Sequence, residues 1–265
     1  MKYRMSFIFV LLAIRSFALT EMPTDVTTSK NTILIDGEKS PKEPLEVSIP
    51  SKDGLLISGN LYEVDSKSPV ILLCHQAGYN KYEYADIAPR LNEMGYNCLA
   101  IDQRSGGTFA EKKNITFENA KAKSLSTEYV DAEQDMIAAL EYLEKKYDQK
   151  VILWGSSYSS ALALHVGDNE NVKAIISFSP GDYFGEQKAK LSKVIPAIDK
   201  PFFITSSKAE SVRLKEAIGD VSPSVSQTQF VPNSDGFHGS KALWIGQEGA
   251  DDYWAALELF LNAIK

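Results

Sequence analysis

At 265 residues, with 44% apolar and 24% charged side chains, the chain has room for one large α/β domain or two small ones. A formal net charge of −7 argues against a nucleic-acid surface, which needs clustered Lys and Arg. Two cysteines, Cys74 and Cys98, are too few for a disulfide framework, and neither has the neighbours of a zinc site.

The first residues read as an export signal. Lys2 and Arg4 precede an apolar run over 5–14, and Ser16 and Ala18 supply small residues at a cleavage position. The run is shorter than the ~20 residues of a membrane-spanning helix. Residues 1–18 are therefore expected to be a signal peptide, with an uncleaved anchor as the alternative. The mature protein is expected in the periplasm or outside the cell, without stable membrane insertion. Residues 19–43 are polar, rich in Thr, Lys, Glu and Pro, and are expected to be a flexible lead-in to a folded domain over 44–265.

Within that domain, 45–49 and part of 55–62 alternate apolar and polar residues around the turn Ser51-Lys52-Asp53-Gly54, which predicts a hairpin. The continuous apolar run over 70–74 predicts a strand buried on both faces. Tyr84, Ile87, Ala88 and Leu91 give helical spacing over 82–94, closed by Gly95. A strand over 97–101 follows. Residues 103–127 have little periodicity and read as a long loop or small cap. They include a glycosylation sequon, Asn114-Ile115-Thr116, relevant in a host that glycosylates. Helices are expected over 127–146, 158–166 and 250–264, and strands over 150–154, 172–178, 201–205 and 228–231. Two antiparallel strands followed by alternating strand and helix indicate a mostly parallel sheet covered on both faces. Ligands bind such sheets at the carboxyl ends of the strands. The residues just after each strand are where chemistry is expected.

Gly155-Ser156-Ser157-Tyr158-Ser159 follows the strand over 150–154 and resembles G-x-S-x-G, the nucleophile elbow of α/β-hydrolases. Ser157 sits at its apex, and Ser159 stands where a second glycine is usual. His75-Gln76-Ala77-Gly78 follows the strand over 70–74, and Asp102-Gln103-Arg104-Ser105-Gly106-Gly107 the strand over 97–101. The chain has three histidines. His75 belongs to the first of these loops, and His165 lies on a helix nearly three turns from Ser157. His238, in the loop between the last strand and the closing helix, remains as the general base. Three carboxylates are candidates to orient it: Glu210, after the strand over 201–205, Asp182, after the preceding strand, and Asp235, close to the histidine.

Together these segments resemble the α/β-hydrolase superfamily, most closely its dienelactone-hydrolase-like and small-esterase branches. The likeness runs from about residue 45 to the C-terminus. It implies an α/β-hydrolase fold: a mostly parallel central sheet with an antiparallel N-terminal strand pair and helices on both faces. By position, His75–Gly78 matches the H-G-x-G loop, with Gln76 where a glycine is common. The oxyanion donors would then be the N–H groups of Ala77 and Tyr158. The implied triad is Ser157, Glu210 and His238, and the implied chemistry is two-step acyl transfer on a small-molecule ester, with no cofactor and no metal. Dienelactone hydrolases use a cysteine nucleophile, so the serine points to a carboxylic ester hydrolase. His75, Gln76, Tyr183 and Phe184 are candidates for contacting substrate, and the aromatic pair suits core packing equally. The competing readings are a peptidase or thioesterase with the same triad, and a binding protein on a hydrolase scaffold that has lost activity. Gln76 and Ser159, in place of glycines, keep the last of these open.

Overall fold

The computed structural model describes residues 43–219 and 226–265. The expected signal peptide at 1–18, and all but the last residue of the 19–43 lead-in, lie outside the described residues.

Eight strands form one sheet: β1 (Leu45–Pro50), β2 (Leu56–Tyr62), β3 (Val70–Cys74), β4 (Asn97–Ile101), β5 (Val151–Ser156), β6 (Val172–Phe178), β7 (Phe202–Thr205) and β8 (Gln227–Phe230), in the order β1-β2-β4-β3-β5-β6-β7-β8. The tight turn at 51–54 permits only antiparallel pairing of β1 with β2, and β2 is antiparallel to β4 as well. From β3 onward every pair is parallel. The helices are α1 (Ile87–Glu93), α2 (Ile115–Ala122), α3 (Ala132–Tyr147), α4 (Tyr158–His165), α5 (Leu191–Val194), α6 (Lys208–Ile218) and α7 (Ala250–Ala263).

Side-chain alternation along the strands builds two cores. Ile71, Leu73, Trp154 and Ile176 join Leu91 of α1 and Trp254 and Leu257 of α7 on one face. Leu72, Leu153 and Ile175 join Met136, Leu140 and Leu143 of α3 and Leu162 of α4 on the other. Strands buried on both faces must be apolar throughout, which is why β3 reads as an unbroken run. The chain moves outward from β3 to β4 and then returns past β3 to β5. That reversal is the topological switch point, where ligands bind in open α/β sheets. It sets the segment after β3 beside the segment after β5.

Three elements differ from the sequence expectation. The helix expected over 82–94 is a 3₁₀ turn, Lys81–Tyr84, followed by α1. The turn is tied from outside its own segment: Asp102 accepts the Lys81 N–H at 2.9 Å, and the Asn80 side chain accepts the Tyr82 N–H at 3.0 Å. The helix expected over 127–146 likewise opens with a 3₁₀ turn, Tyr129–Asp131. The segment 103–127 contains α2, whose first turn is capped by Asn114 Oδ1 on the Phe117 N–H at 2.8 Å. Asn114 is 1% exposed, and its Nδ2 donates to the Gln103 carbonyl at 2.9 Å. The sequon amide is therefore packed inside the fold, with no room for a glycan. Among the described residues no helix is long and apolar enough to cross a membrane.

Candidate active site

β5 ends at Ser156 and α4 begins at Tyr158, so Ser157 alone turns the chain from strand to helix. It holds φ 58 and ψ −121, a conformation that costs a non-glycine residue about 1–3 kcal/mol. Its surroundings enforce it. The Ser157 N–H donates to the Phe178 carbonyl at 2.8 Å. Gly155 lies so close to the backbone of Ser159 and Ser160 that a Cβ would collide with both. Ser159, where the motif has glycine, is fully buried, and its hydroxyl accepts the Ser156 N–H at 2.8 Å and donates to the Cys74 carbonyl at 2.7 Å. The substitution fastens the elbow to β3.

The structure brings three of the sequence-selected side chains together. Ser157 Oγ lies 2.8 Å from His238 Nε2, and His238 Nδ1 lies 2.5 Å from Glu210 Oε1. A carboxylate only accepts, so the ring proton sits on Nδ1 and Nε2 is free to accept from the serine. The second Glu210 oxygen accepts the hydroxyls of Ser179 at 2.9 Å and Ser207 at 2.8 Å and the Ser207 N–H at 3.1 Å. Burial opposes the Glu210 charge, but the His238 bond and charge and the two hydroxyls outweigh it, bringing its pKa down to about 2. Glu210 also closes a capping box at the start of α6, so it holds both the helix and the imidazole. The rival carboxylates are engaged otherwise. Asp182 accepts the Leu191 N–H at 2.7 Å, and the exposed Asp235 contributes its backbone carbonyl to the Lys208 N–H at 2.9 Å.

Among the described residues, the N–H groups of Ala77 and Tyr158 find no hydrogen-bond acceptor. For Tyr158 this follows from its place as the first residue of α4, one of the positions without an intrahelical partner. The N-terminal end of α4 adds a positive dipole there.

The candidates for substrate contact divide. Tyr183 is 44% exposed, donates to the Ser179 carbonyl at 2.9 Å, and lines a cavity of about 670 Å³ together with His238, Glu210, Asp182, Arg213 and Leu214. That size suits a small molecule. A wider cleft of about 770 Å³, between α1 and α7 around Arg90 and Trp244, includes none of the three. Contrary to expectation, His75 is fully buried and out of a substrate's reach. It accepts the Gln103 N–H on Nε2 at 2.9 Å and donates from Nδ1 to the Gln76 carbonyl at 2.9 Å. Burial lowers its pKa to about 4, so it braces the loop as a neutral ring. Phe184 is 8% exposed and packs in the core, edge-on to His165. Gln76 is 7% exposed, with its amide turned inward to Glu83 at 3.1 Å.

Asp102 and Arg104 brace the surrounding loops. Asp102 accepts the N–H groups of Lys81 and Ile115 at 2.9 and 2.8 Å. Arg104 bonds Asp135 of α3 and Asp53 of the β1–β2 turn, each at 2.7 Å. Three partners escaped the sequence reading: Glu83, Ser179 and Asp135. Among the described residues no group of three or more His, Cys, Asp or Glu side chains is arranged to hold a metal ion.

Comparison with known proteins gives the same fold. A model of the alpha/beta hydrolase fold matches residues 69–205. The chain is 27% identical over 186 residues, 68% of its length, to the quorum-quenching protein AidA of Acinetobacter baumannii, and it spans about half (55%) of that protein. The Pyrococcus furiosus esterase Pf2001 superposes with a TM-score of 0.65 at 18% identity, over 86% of this chain and 96% of its own. A dienelactone hydrolase from Anabaena variabilis superposes with a TM-score of 0.60 at 17% identity, over 84% of this chain and 100% of its own.

Proposed function

The chain belongs to the alpha/beta hydrolase fold family, and from that premise we propose that it is a serine hydrolase cleaving a carboxylic ester of a small molecule. The observation that carries this reading is the unbroken hydrogen-bonded relay from Ser157 through His238 to Glu210, at 2.8 and 2.5 Å, on a serine held at φ 58.

The geometry supports these steps. Ser157 Oγ attacks the ester carbonyl while His238 Nε2 takes its proton. Glu210 keeps the ring in the productive tautomer and stabilises the imidazolium. The oxyanion is received by the Ala77 and Tyr158 N–H groups, a contribution of about 2.7–4 kcal/mol per donor in such sites. The intermediate collapses, His238 returns the proton to the leaving alcohol, and the acyl group remains on Ser157. Water then attacks the acyl carbon, giving a proton to His238, and the acid leaves as Ser157 is restored. The cavity beside Tyr183 and Leu214 is assigned to the substrate. The expected leader at 1–18 completes the reading as that of an exported enzyme. An N-terminal sequence of the mature protein that retains residues 1–18 would remove that part.

A fluorophosphonate probe tests the mechanism. The wild type should be labelled at Ser157, Ser157→Ala should not be labelled, and His238→Ala should be labelled slowly. Turnover of p-nitrophenyl acetate, set against acyl thioesters and peptide amides, tests the preference for esters. A folded wild type that resists labelling would favour a binding protein on a hydrolase scaffold.

A further inference from the structure

Glu83, in the 3₁₀ turn after β3, is fully buried and takes no part in the acyl-transfer steps, yet it touches two of the segments that build the site. Its Oε2 accepts the Gln76 N–H at 2.7 Å. Its Oε1 accepts the Gln76 side-chain amide at 3.1 Å and the Ser156 hydroxyl at 2.7 Å. Ser156 Oγ in turn accepts the Ser240 N–H at 2.8 Å, and the Glu83 carbonyl accepts Trp244 Nε1 at 2.8 Å. Gln76 immediately precedes Ala77, Ser156 immediately precedes Ser157, and Ser240 follows His238 by two residues. The loops meet closely: a Cβ on Gly239 would stand 2.7 Å from Ser156 Oγ.

We propose that Glu83 is a positioning residue which, through Gln76 and Ser156, keeps the Ala77 N–H, the Ser157 hydroxyl and the His238 ring in one register. The inference rests on the serine-hydrolase reading. It also accounts for Gln76, whose amide is the extra donor a glycine would not supply.

A buried carboxyl without a cation beside it is an expensive group to keep for stability alone, because apolar packing of the same volume does as well or better. Burial drives the Glu83 pKa up to about 7, against the bonds from Ser156 and Gln76 and the influence of His238. The titratable groups acting on or acted on by it are His238 from the histidine loop, Cys74 from β3, Tyr79 from the loop after β3 and Tyr84 from its own turn. Burial pushes the Cys74 thiol and the Tyr79 and Tyr84 phenols upward, so all three stay neutral near pH 7. The ionised carboxyl accepts from all three donors. A protonated one needs an acceptor, and the atom within reach is Ser156 Oγ, whose own proton must then turn away. The tie between elbow and oxyanion loop loosens as the carboxyl takes up its proton.

The test uses Glu83→Gln in the full chain, with kcat and KM for a p-nitrophenyl ester measured across the pH range. We expect kcat to fall roughly 10- to 100-fold, since an ångström of misplacement can cost 10²-fold. KM should stay within about twofold, the signature of an interaction realised in the transition state. On the acid side, the wild-type kcat/KM profile should carry the Glu83 ionisation and the variant profile should lack it. Ser156→Ala cuts the arm to the elbow and the Ser240 N–H bond to the same hydroxyl, leaves Gln76 on Glu83, and should show the same division between kcat and KM. It decides the matter if Glu83→Gln fails to fold. A folded Glu83→Gln, or Ser156→Ala, with wild-type kcat and an unaltered acid limb overturns the inference even if its stability drops, because Glu83 is then only structural. In that case Ser157 labelling of the wild type still stands. A wild type that neither labels nor turns over esters overturns the hydrolase reading and this inference with it.

Discussion

Replacing Arg104 with Met should destabilise the fold by about 4 kcal/mol at pH 7 but only about 1.5 kcal/mol at pH 5. Arg104 is 1% exposed, and its Nη2 and Nε donate to Asp135 Oδ1 at 2.7 and 3.0 Å while its backbone N–H donates to Asp135 Oδ2 at 2.8 Å. Met retains the bulk of the stem and removes the charge. Asp135, which is fully buried, then keeps one backbone donor. It can stay ionised, at the about 3–5 kcal/mol typical of an orphaned buried charge. It can instead take a proton. From an unfolded pKa near 3.9, that costs about 1.36 × 3.1, or 4 kcal/mol, at pH 7 and about 1.36 × 1.1, or 1.5 kcal/mol, at pH 5. Burial already raises the Asp135 pKa and the Arg104 side chain pulls it back, so removing the guanidinium leaves the upward push opposed by one backbone N–H. A folded pKa raised above the unfolded value makes the loss grow as pH rises above about 4 and vanish below it. Urea unfolding of wild type and variant at both pH values, at unchanged m, gives the difference directly. A loss under about 1 kcal/mol at pH 7, or an equal loss at both, would refute the reasoning. Arg104→Met/Asp135→Leu should recover most of the stability, because no buried charge is left unpaired.

Ser159→Gly restores the family motif and should nonetheless destabilise the protein by about 1–3 kcal/mol, since the buried Ser156 N–H loses its acceptor. A thermal midpoint equal to or above wild type would count against the fastening role of that hydroxyl. Glu210, with a folded pKa of about 2 against an ordinary 4.5, contributes stability that is present above about pH 4.5 and is lost as pH falls toward 2. The Glu210→Gln stability curve should therefore lie below wild type at pH 6 and meet it near pH 2. Parallel curves would remove the His238 pairing as the cause.

The architecture was readable because burial leaves a plain mark on sequence. β3, apolar throughout, and β4 and β5, apolar over 98–101 and 151–154, could only be interior strands, and the chemistry then had to follow their carboxyl ends. His238 was reachable because the chain has so few histidines. Local pattern failed where distant residues decide the conformation. A single helix over 82–94 would put Glu83 at the edge of the apolar stripe, where a carboxylate reads as solvated; Asp102, reached from β4, holds the turn in which it is buried. α2 has a weak apolar stripe, and it is placed by Asn114 and by the bond from the Ser58 N–H to Thr116 Oγ1 at 2.9 Å. The choice among Glu210, Asp182 and Asp235 depended on which loop ends meet, and no spacing along the chain encodes that. His75 misled for the opposite reason: it is a histidine in a functional loop, yet both ring nitrogens are committed to backbone groups.

The two departures from the family motif, which left open a scaffold without activity, bear on that question once their partners are known. A chain released from catalysis has no reason to keep a serine at φ 58, a strain of about 1–3 kcal/mol that glycine would relieve. Nor has it a reason to bury an acidic group with a pKa near 7 between the loop after β3 and the elbow. Gln76 and Ser159 do not fill or block the site. Each supplies a hydrogen bond that a glycine could not, Gln76 to Glu83 and Ser159 to Ser156 and Cys74. These three bonds tighten the segments around Ser157, as the proposed reaction requires.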